Sequence, residues 1–267
     1  MQHFYLYRKA WRFDGAPHEE RKLCEEEWNA LLRQGGMMVR NTFDYDCAEE
    51  TRFWHLVKDH FGGLEELKSD TRNRVRKSMD ALEFRLIGYE TVKDKGYPIL
   101  KATFDDYAVV DRPMDEQVFD DYLKHCQSKD YEYWGVFDRS DGRFIGFCAN
   151  RIWDEAVEYG MIGILPEYKH NGTFPYYGLF HSMNQYYLKE RGLRYVTDGS
   201  RSITEHSNIQ PFLEEKFHFR KAYCHLAIHY CWWLGLAVRL LYPFRNVVKN
   251  PQVKAILKME SMRRMEE

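Results

Sequence analysis

The chain has 267 residues, of which 44% are hydrophobic, 30% charged and 16% aromatic, and its formal net charge at pH 7 is −2. This composition excludes a disordered chain, a collagen and a long coiled coil, and the charge disfavours nucleic acid as a partner. The six cysteines are scattered without a C-x-x-C pair, so neither a disulfide framework nor zinc binding is predicted. Because no signal peptide or membrane-spanning apolar run is present, we expect a cytoplasmic protein.

The first 82 residues are predicted to form a mixed α+β segment. Cys24, Trp28, Leu31 and Leu32 recur at helical spacing before Gly35, which is typical of a helix with one buried face. The predicted elements are strands at 4–9, 37–43 and 52–58, a helix at 19–34, and two short helices between 64 and 82.

The region from 83 to 230 alternates strands and helices in a more informative order. The predicted elements are strands at 83–89, 132–137, 143–153, 157–165, 193–197 and 219–230, and helices at 92–106, 116–126, 175–191 and 208–216. Short connections between the three middle strands force antiparallel pairing, whereas the crossover helix at 175–191 requires the strands on either side of it to be parallel. We therefore expect an α+β fold with a mixed, mostly antiparallel sheet flanked by helices.

The last 36 residues, 232–267, are predicted to form a basic amphipathic helical tail. It carries seven Lys and Arg residues against three Glu and begins with Trp232 and Trp233. Such a helix can lie in a membrane interface, and this predicts peripheral membrane contact. The alternatives are packing on the N-terminal segment or on a second subunit, which would make the protein a homodimer.

Two local motifs lie within residues 83–231. The run Lys169-His-Asn-Gly-Thr-Phe174 comes directly before the helix predicted at 175–191, and the run Asn208 to Phe219 covers the next predicted helix. Together with the order of elements, they resemble the GNAT (Gcn5-related N-acyltransferase) fold: the first run is similar to that family's [Q/R]-x-x-G-x-[G/A] loop and the second to its N…A…Y-E-K-x-G-F segment. The resemblance implies an acyl-CoA N-acyltransferase-like domain at 83–231.

The N-terminal segment, 1–82, is similar in its second half to FemAB/FemX-like transferases, which join two GNAT-type halves. The similar residues run from Phe53 to Asp59 and from Arg72 to Lys77. Because such relatives can use aminoacyl-tRNA, the cations between Arg72 and Lys77 are candidates for phosphate binding. A solvated helix face is the alternative that the residues themselves favour.

Three positions depart from the GNAT pattern. Phe174 stands where the loop ends in Gly or Ala, Glu214 aligns with the Tyr that often protonates the leaving thiolate, and His218 replaces a Gly. Phe174 is expected either to block a bound pyrophosphate or to point into the core.

The resemblance implies that the loop and one strand hold the donor. A helix N-terminus binds anions through its free N–H groups, and Gly172 would allow close approach of phosphates. Gly160 and Gly163 mark either a bulge or a close backbone approach, which fits a pantetheine arm lying along the strand. The predicted binding residues are Met161, Ile162, Gly163, Ile164, Lys169, His170, Asn171, Gly172, Thr173 and Asn208.

Three residues are candidates for moving the proton of an attacking amine. Glu158 lies on the central strand and, with regular alternation, shares a face with Gly160 and Ile162. Asp198 ends the next strand, where α/β proteins bind ligands, and His206 has an unperturbed pKa suited to proton transfer. Each has a plain structural alternative: an exposed strand carboxylate, or a residue at the start of a helix. No metal site is predicted, since His225 and His229 would lie ~13 Å apart on one strand.

The leading hypothesis is therefore an acyltransferase that moves an acyl group from acyl-CoA to the amine of a small molecule or sugar. The alternatives are a non-catalytic GNAT-like binding protein and a FemX-like transferase that uses aminoacyl-tRNA.

Overall fold

The structure, a computed structural model, describes residues 4–7, 9–106, 114–203 and 209–265. Within these ranges the chain forms ten strands and eight α-helices. The strands are β1 (Phe4–Tyr7), β2 (Ala10–Phe13), β3 (Met38–Phe43), β4 (Phe53–Lys58), β5 (Leu82–Ile87), β6 (Tyr131–Asp138), β7 (Phe144–Ile152), β8 (Ala156–Ile164), β9 (Tyr195–Ser200) and β10 (Arg220–Tyr230). The helices are α1 (Glu25–Arg33), α2 (Ser69–Ala81), α3 (Tyr89–Asp105), α4 (Glu116–Gln127), α5 (Pro175–Asn184), α6 (Ile209–Phe217), α7 (Trp232–Leu241) and α8 (Pro251–Arg264). The predicted fold class, α+β with a mixed and mostly antiparallel sheet flanked by helices, is confirmed.

The described residues divide into two compact units. The first takes its residues from Met1–Leu56, Ser200–Glu205 and Lys221–Glu267, and the second from Val57–Gly199 and His206–Arg220. The predicted domain boundaries at 82 and 231 stay a prediction.

The sheet of the second unit has the order β9-β8-β7-β6-β5. β6, β7 and β8 pair antiparallel, as their short connections require, and β5 pairs antiparallel with β6 although α3 and α4 lie between them in the chain. β8 and β9 are joined through α5 and pair parallel, as predicted. The chain therefore places one parallel strand pair beside an antiparallel meander.

Helices cover both faces of this sheet. Ala149 of β7 belongs to an apolar cluster with Leu100 of α3 and Leu123 of α4. The next residue, Asn150, points to the opposite face, where its Nδ2 donates to Tyr187 Oη at 3.3 Å. The alternation of neighbouring strand residues thus assigns α3 and α4 to one face and α5 with its continuation to the other.

An aromatic cluster fixes α5 and α6 on the second of these faces. The ring of Phe180, which is fully buried, lies 5.7 Å from that of Tyr159 on β8. Its centroid also lies 6.1 Å from Phe212 and 6.0 Å from Phe217, both on α6. Because aromatic rings bury large areas and prefer such tilted contacts, this cluster holds α6 against the sheet.

The first unit is built from strands that are distant in sequence. β1 pairs antiparallel with β2, β2 pairs parallel with β3, and β3 pairs antiparallel with β10. Its core joins Met38 of β3 and Leu226 of β10 to Leu234 of α7 and Leu257 of α8. The apolar side chains of the last two helices therefore complete the core of this unit.

Several predicted boundaries are wrong, for local reasons. The helix predicted at 19–34 begins only at Glu25, because the Glu27 carboxylate accepts the backbone N–H of Cys24 in a capping box. The strand predicted at 4–9 is a hairpin, with β2 following Lys9 at φ 68°. The helix predicted at 175–191 is α-helical only to Asn184 and continues as a π-helix over Gln185–Glu190. The tail forms two helices, α7 and α8, rather than one.

Candidate functional site

The parallel pairing of β8 and β9 is short. It runs from Ala156↔Tyr195 to Glu158↔Thr197, although β8 continues to Ile164 and β9 to Ser200. Beyond Glu158, β8 keeps its antiparallel pairing with β7 as far as Ile164. Of the residues that the structure describes in these two strands, those after Glu158 and Thr197 thus lie outside the shared ladder.

Gly160 is a β-bulge at the point where this ladder ends. Asn150 pairs with Tyr159 and Ala149 pairs with Met161, so Gly160 has no opposite residue on β7. A side chain at position 160 would collide with the backbone carbonyl oxygen of Ala149, and the bulge therefore requires glycine.

The bulge corrects the expected orientation of Glu158. Arg151 pairs with Glu158, and Ala149, two residues away on the same face of β7, pairs with Met161. Because the extra residue reverses the alternation along β8, Glu158 shares a face with Met161 and not with Ile162.

Glu158 and Asp198 come together where the two strands end their pairing. Gly199 adopts φ +80°, and a Cβ at this position would lie 2.6 Å from Glu158 Oε1. Glycine thus makes room for the Glu158 carboxylate against the β9 backbone. This part of β9 is held by Thr197, whose Oγ1 accepts the N–H of Gly199 at 3.0 Å.

Asp198 is a half-buried carboxyl group with a strongly perturbed pKa. Its removal from water and the negative charge of Glu158 raise the pKa of Asp198 to about 8, against a hydrogen bond with Gln210 that lowers it. Desolvation and a like charge both disfavour the carboxylate form. A group of this pKa can take up and release a proton near neutral pH.

The sequence singled out Glu158 and Asp198 but missed Gly199 and Gln210. Gly199 had a signal, since glycine directly after an acidic residue at a strand end favours a turn. Gln210 had none, because its contact with Asp198 depends on how α6 packs. His206 and Asn208, both proposed for the site, lie outside the described residues.

Substituting Gly199 is expected to alter both stability and the titration of Asp198. In Gly199→Ala the left-handed backbone costs ~1–2 kcal/mol, and the new methyl group displaces the Glu158 carboxylate. We expect the pKa of Asp198 to fall, measured by NMR titration, together with a lower urea midpoint. Gly142→Ala is the matched control, because Gly142 has φ +74° but open space around it. Equal pKa values of Asp198 in the two variants would contradict the role of Gly199.

The loop between β8 and α5 is held largely by its own contacts. Lys169 Nζ pairs with Asp106 Oδ2 at 2.7 Å, and this ion pair lowers the pKa of Asp106. Asn171 Oδ1 accepts from the backbone N–H of Thr173 at 3.0 Å and from its hydroxyl at 2.6 Å. Gly172 has φ +85° with no atom within 4 Å of a Cβ built there. The charge of Lys169 and the N–H of Thr173 are therefore already engaged within the protein.

Phe174 directly precedes α5 in a left-handed conformation, with φ 53°. Its ring lies edge-on to Tyr177 at 5.9 Å, and the guanidinium of Arg74 lies 5.3 Å from its centroid. Arg74 Nη1 also donates to Tyr177 Oη at 2.9 Å. Phe174 thus packs with α2 and α5, and Arg74 of the predicted solvated helix face is part of this contact.

Comparisons with known proteins identify solved structures that share this fold. No protein-family model matches the chain, and no curated protein matches it in sequence. The crystal structure of FemX superposes with a TM-score of 0.54 at 11% identity, over 82% of this chain and 81% of that one. The structure of L-PGS from Bacillus licheniformis gives 0.52 at 10% identity, over 97% of this chain and 84% of that one. The chain therefore has a GNAT-like fold with similarity to FemX.

The described residues contain no group of three His, Cys, Asp or Glu side chains arranged to hold a metal ion. No helix among them is long and apolar enough to cross a bilayer.

Proposed function

We propose that the chain is an acyltransferase that moves an acyl group from a thioester, acyl-CoA, to the amine of a small molecule or sugar. The observation that carries this proposal is the carboxyl pair Glu158 and Asp198 at the end of the β8–β9 ladder. The GNAT-like fold is consistent with the proposal but shows only the architecture.

Asp198 is the proposed general base. An ammonium acceptor must lose a proton before its nitrogen attacks, and a base whose pKa is raised to about 8 accepts this proton more readily than an ordinary carboxylate. Glu158 is the positioning residue, because its charge keeps the pKa of Asp198 high. Asp198 touches the reacting amine, and Glu158 acts through Asp198.

The reaction balances without a cofactor. The ammonium gives one proton to Asp198, the amine nitrogen forms a bond to the acyl carbon and the carbon–sulfur bond breaks. The nitrogen loses a second proton as the amide forms; the thiol leaves with one of these two protons and solvent takes up the other. Backbone N–H groups of Met161 to Ile164 are the proposed donors to the tetrahedral oxyanion and to the pantetheine arm, although the N–H of Ile164, which donates to Thr103 Oγ1 at 3.0 Å, must then exchange that partner for the ligand. Lys169 to Thr173 and Asn208 complete the proposed donor site, although Lys169 must then exchange Asp106 for a phosphate.

A second candidate function is aminoacyl transfer from an aminoacyl-tRNA. Two observations favour it: the likeness to FemX extends over 82% of the chain, and the loop that would hold a pyrophosphate is engaged in its own contacts. The same carboxyl pair would then deprotonate the acceptor amine, with an ester oxygen in place of sulfur as the leaving group.

Acyl-CoA binding is expected to stabilise the protein. A ligand that binds only the native state contributes about 2.7 kcal/mol at one hundred times its Kd, so millimolar acyl-CoA should raise the Tm by several degrees. Thermal unfolding with acetyl-CoA, longer acyl-CoAs and free CoA measures this shift. Release of free thiol on addition of an amine then reports transfer. No shift with any thioester, together with transfer from aminoacyl-tRNA, would instead support the second candidate.

A further inference from the structure

The first unit exposes an apolar strip on α7 and the residues that follow. Its members share one side of the helix or the turn after it, and Trp232 is 82%, Leu240 62% and Phe244 61% exposed. Leu234 and Val238, on the opposite side of α7, are buried in the core of the same unit. The strip consists of Trp232, Trp233, Leu236, Leu240, Phe244 and Val247.

A basic cavity of about 390 Å³ lies in the same unit. Arg245 follows Phe244 directly, so the strip and the cavity meet at this point of the chain. The other residues of the lining are uncharged, and no described residue of the lining is acidic. The cations that line it are Arg52, Arg201, Arg245, Lys254 and Lys258.

The cations of the cavity are clustered by the fold. Lys254 and Lys258 are one turn apart on α8 and share a face. Arg201 Nη1 donates to the backbone carbonyl of Arg52 at 2.7 Å, and burial together with the charge of Arg52 lowers the pKa of Arg201. Like charges held this close repel each other, so an anion bound among them would be favoured.

On another surface of α8, the basic residues are paired with an acidic residue of the chain. Arg263 and Arg264 both donate to Glu260, a buried carboxylate that Tyr230 also contacts. Those arginines are therefore balanced by an acid of the chain itself, and burial of Glu260 among them is typical of a structural ion pair. The basic cavity has no such acid in its described lining.

We propose that this strip and this cavity bind the surface of an anionic phospholipid bilayer, with a lipid phosphate in the cavity and the α7 strip in the interface. A bilayer supplies both an apolar layer and phosphates, whereas a nucleic acid supplies phosphates without an apolar layer for the six exposed side chains. Helices with leading tryptophans and a basic flank lie in such interfaces. The proposal concerns the first unit and does not depend on the acyl-transfer reaction.

Vesicle co-sedimentation of the full chain tests this binding. We expect binding to vesicles of phosphatidylcholine and phosphatidylglycerol in equal parts, and at least tenfold weaker binding to phosphatidylcholine alone. In Lys254→Gln/Lys258→Gln the affinity should fall about 25-fold, since each basic residue near an anionic bilayer contributes about 1 kcal/mol. Lys93→Gln/Lys124→Gln is the matched control: it removes the same charge from lysines of the second unit that are 54% and 70% exposed.

Two further experiments distinguish a lipid phosphate from free phosphate in the cavity, and a bilayer from a second copy of the chain on the strip. Leu236→Ser/Leu240→Ser, checked for native unfolding behaviour, should weaken vesicle binding, while inorganic phosphate should not release the wild-type protein. Binding of inorganic phosphate without any vesicle binding would overturn the proposal. If sedimentation velocity instead finds a dimer that the leucine substitutions dissociate and that does not bind vesicles, the proposal is overturned. The strip is then assigned to contact with a second copy of the chain. Equal losses in the two lysine variants would also overturn it.

Discussion

Replacing Asp198 by Asn is expected to lower kcat/KM for the amine acceptor by ~10²–10⁴-fold, the range that a positioned general base contributes. The wild-type kcat/KM should rise with pH through about 8, because the carboxylate form of Asp198 is the active one. In Glu158→Gln the negative neighbour is gone, so the pKa of Asp198 should fall and the pH profile should move to lower pH. Steady-state kinetics across pH measure both effects.

The substitution Asp198→Asn should change catalysis and stability in opposite directions. The pKa of Asp198 is about 8 in the folded protein against 3.8 for an ordinary Asp, so the folded state binds more protons between these pH values. Stability from this group is present below pH 3.8 and is lost as pH rises towards 8. Asp198→Asn should therefore be more stable than the wild type at pH 8, by urea unfolding. Asp154→Asn, at an exposed position, is the control for activity, and an unchanged rate in Asp198→Asn would refute the assignment.

Replacing Phe180 by Ala is expected to lower the free energy of unfolding by ~3–5 kcal/mol, the usual cost of removing a buried phenyl ring from a packed core. The ring is fully buried and contacts Tyr159 of β8 and two aromatic residues of α6. Its loss should also weaken the packing of α6 against the sheet, and Gln210 of α6 contacts Asp198. Equilibrium urea unfolding measures the first effect.

A control for this substitution exists in the first unit. Phe244 is 61% exposed, and Phe244→Ala should change stability by less than ~0.5 kcal/mol. If Phe180→Ala cost no more than Phe244→Ala, the aromatic cluster would not be what holds these helices together.

Much of the sheet could be predicted from the sequence because its connections are short. The meander β6-β7-β8 and the crossover to β9 follow from turn residues and helical spacing alone, and their pairing is as expected. The hairpin at the N-terminal end of the chain could not be predicted, because its left-handed turn residue is Lys9, a type that gives no turn signal.

The sequence predicted which acidic residues form the candidate site, but not the orientation of Glu158 or the raised pKa of Asp198. Strand position identified Glu158 and Asp198 as candidates. The orientation of Glu158 required the bulge at Gly160, which sequence indicated only as one alternative. The raised pKa of Asp198 depends on burial and on Glu158, a residue of another strand, and such tertiary effects leave no local pattern.

The discontinuous first unit has a consequence for biosynthesis. β3 pairs along its whole length with β10, and the two strands are separated in the chain by every strand of the second unit. During translation, which delivers the chain from its N-terminus, residues 57–199 can begin to collapse first, while β3 remains without the neighbour it will have. Until β10 leaves the ribosome, β3 therefore exposes an unpaired strand edge that is prone to wrong pairing. Because β3 and β10 are far apart in the chain, their pairing should also form slowly.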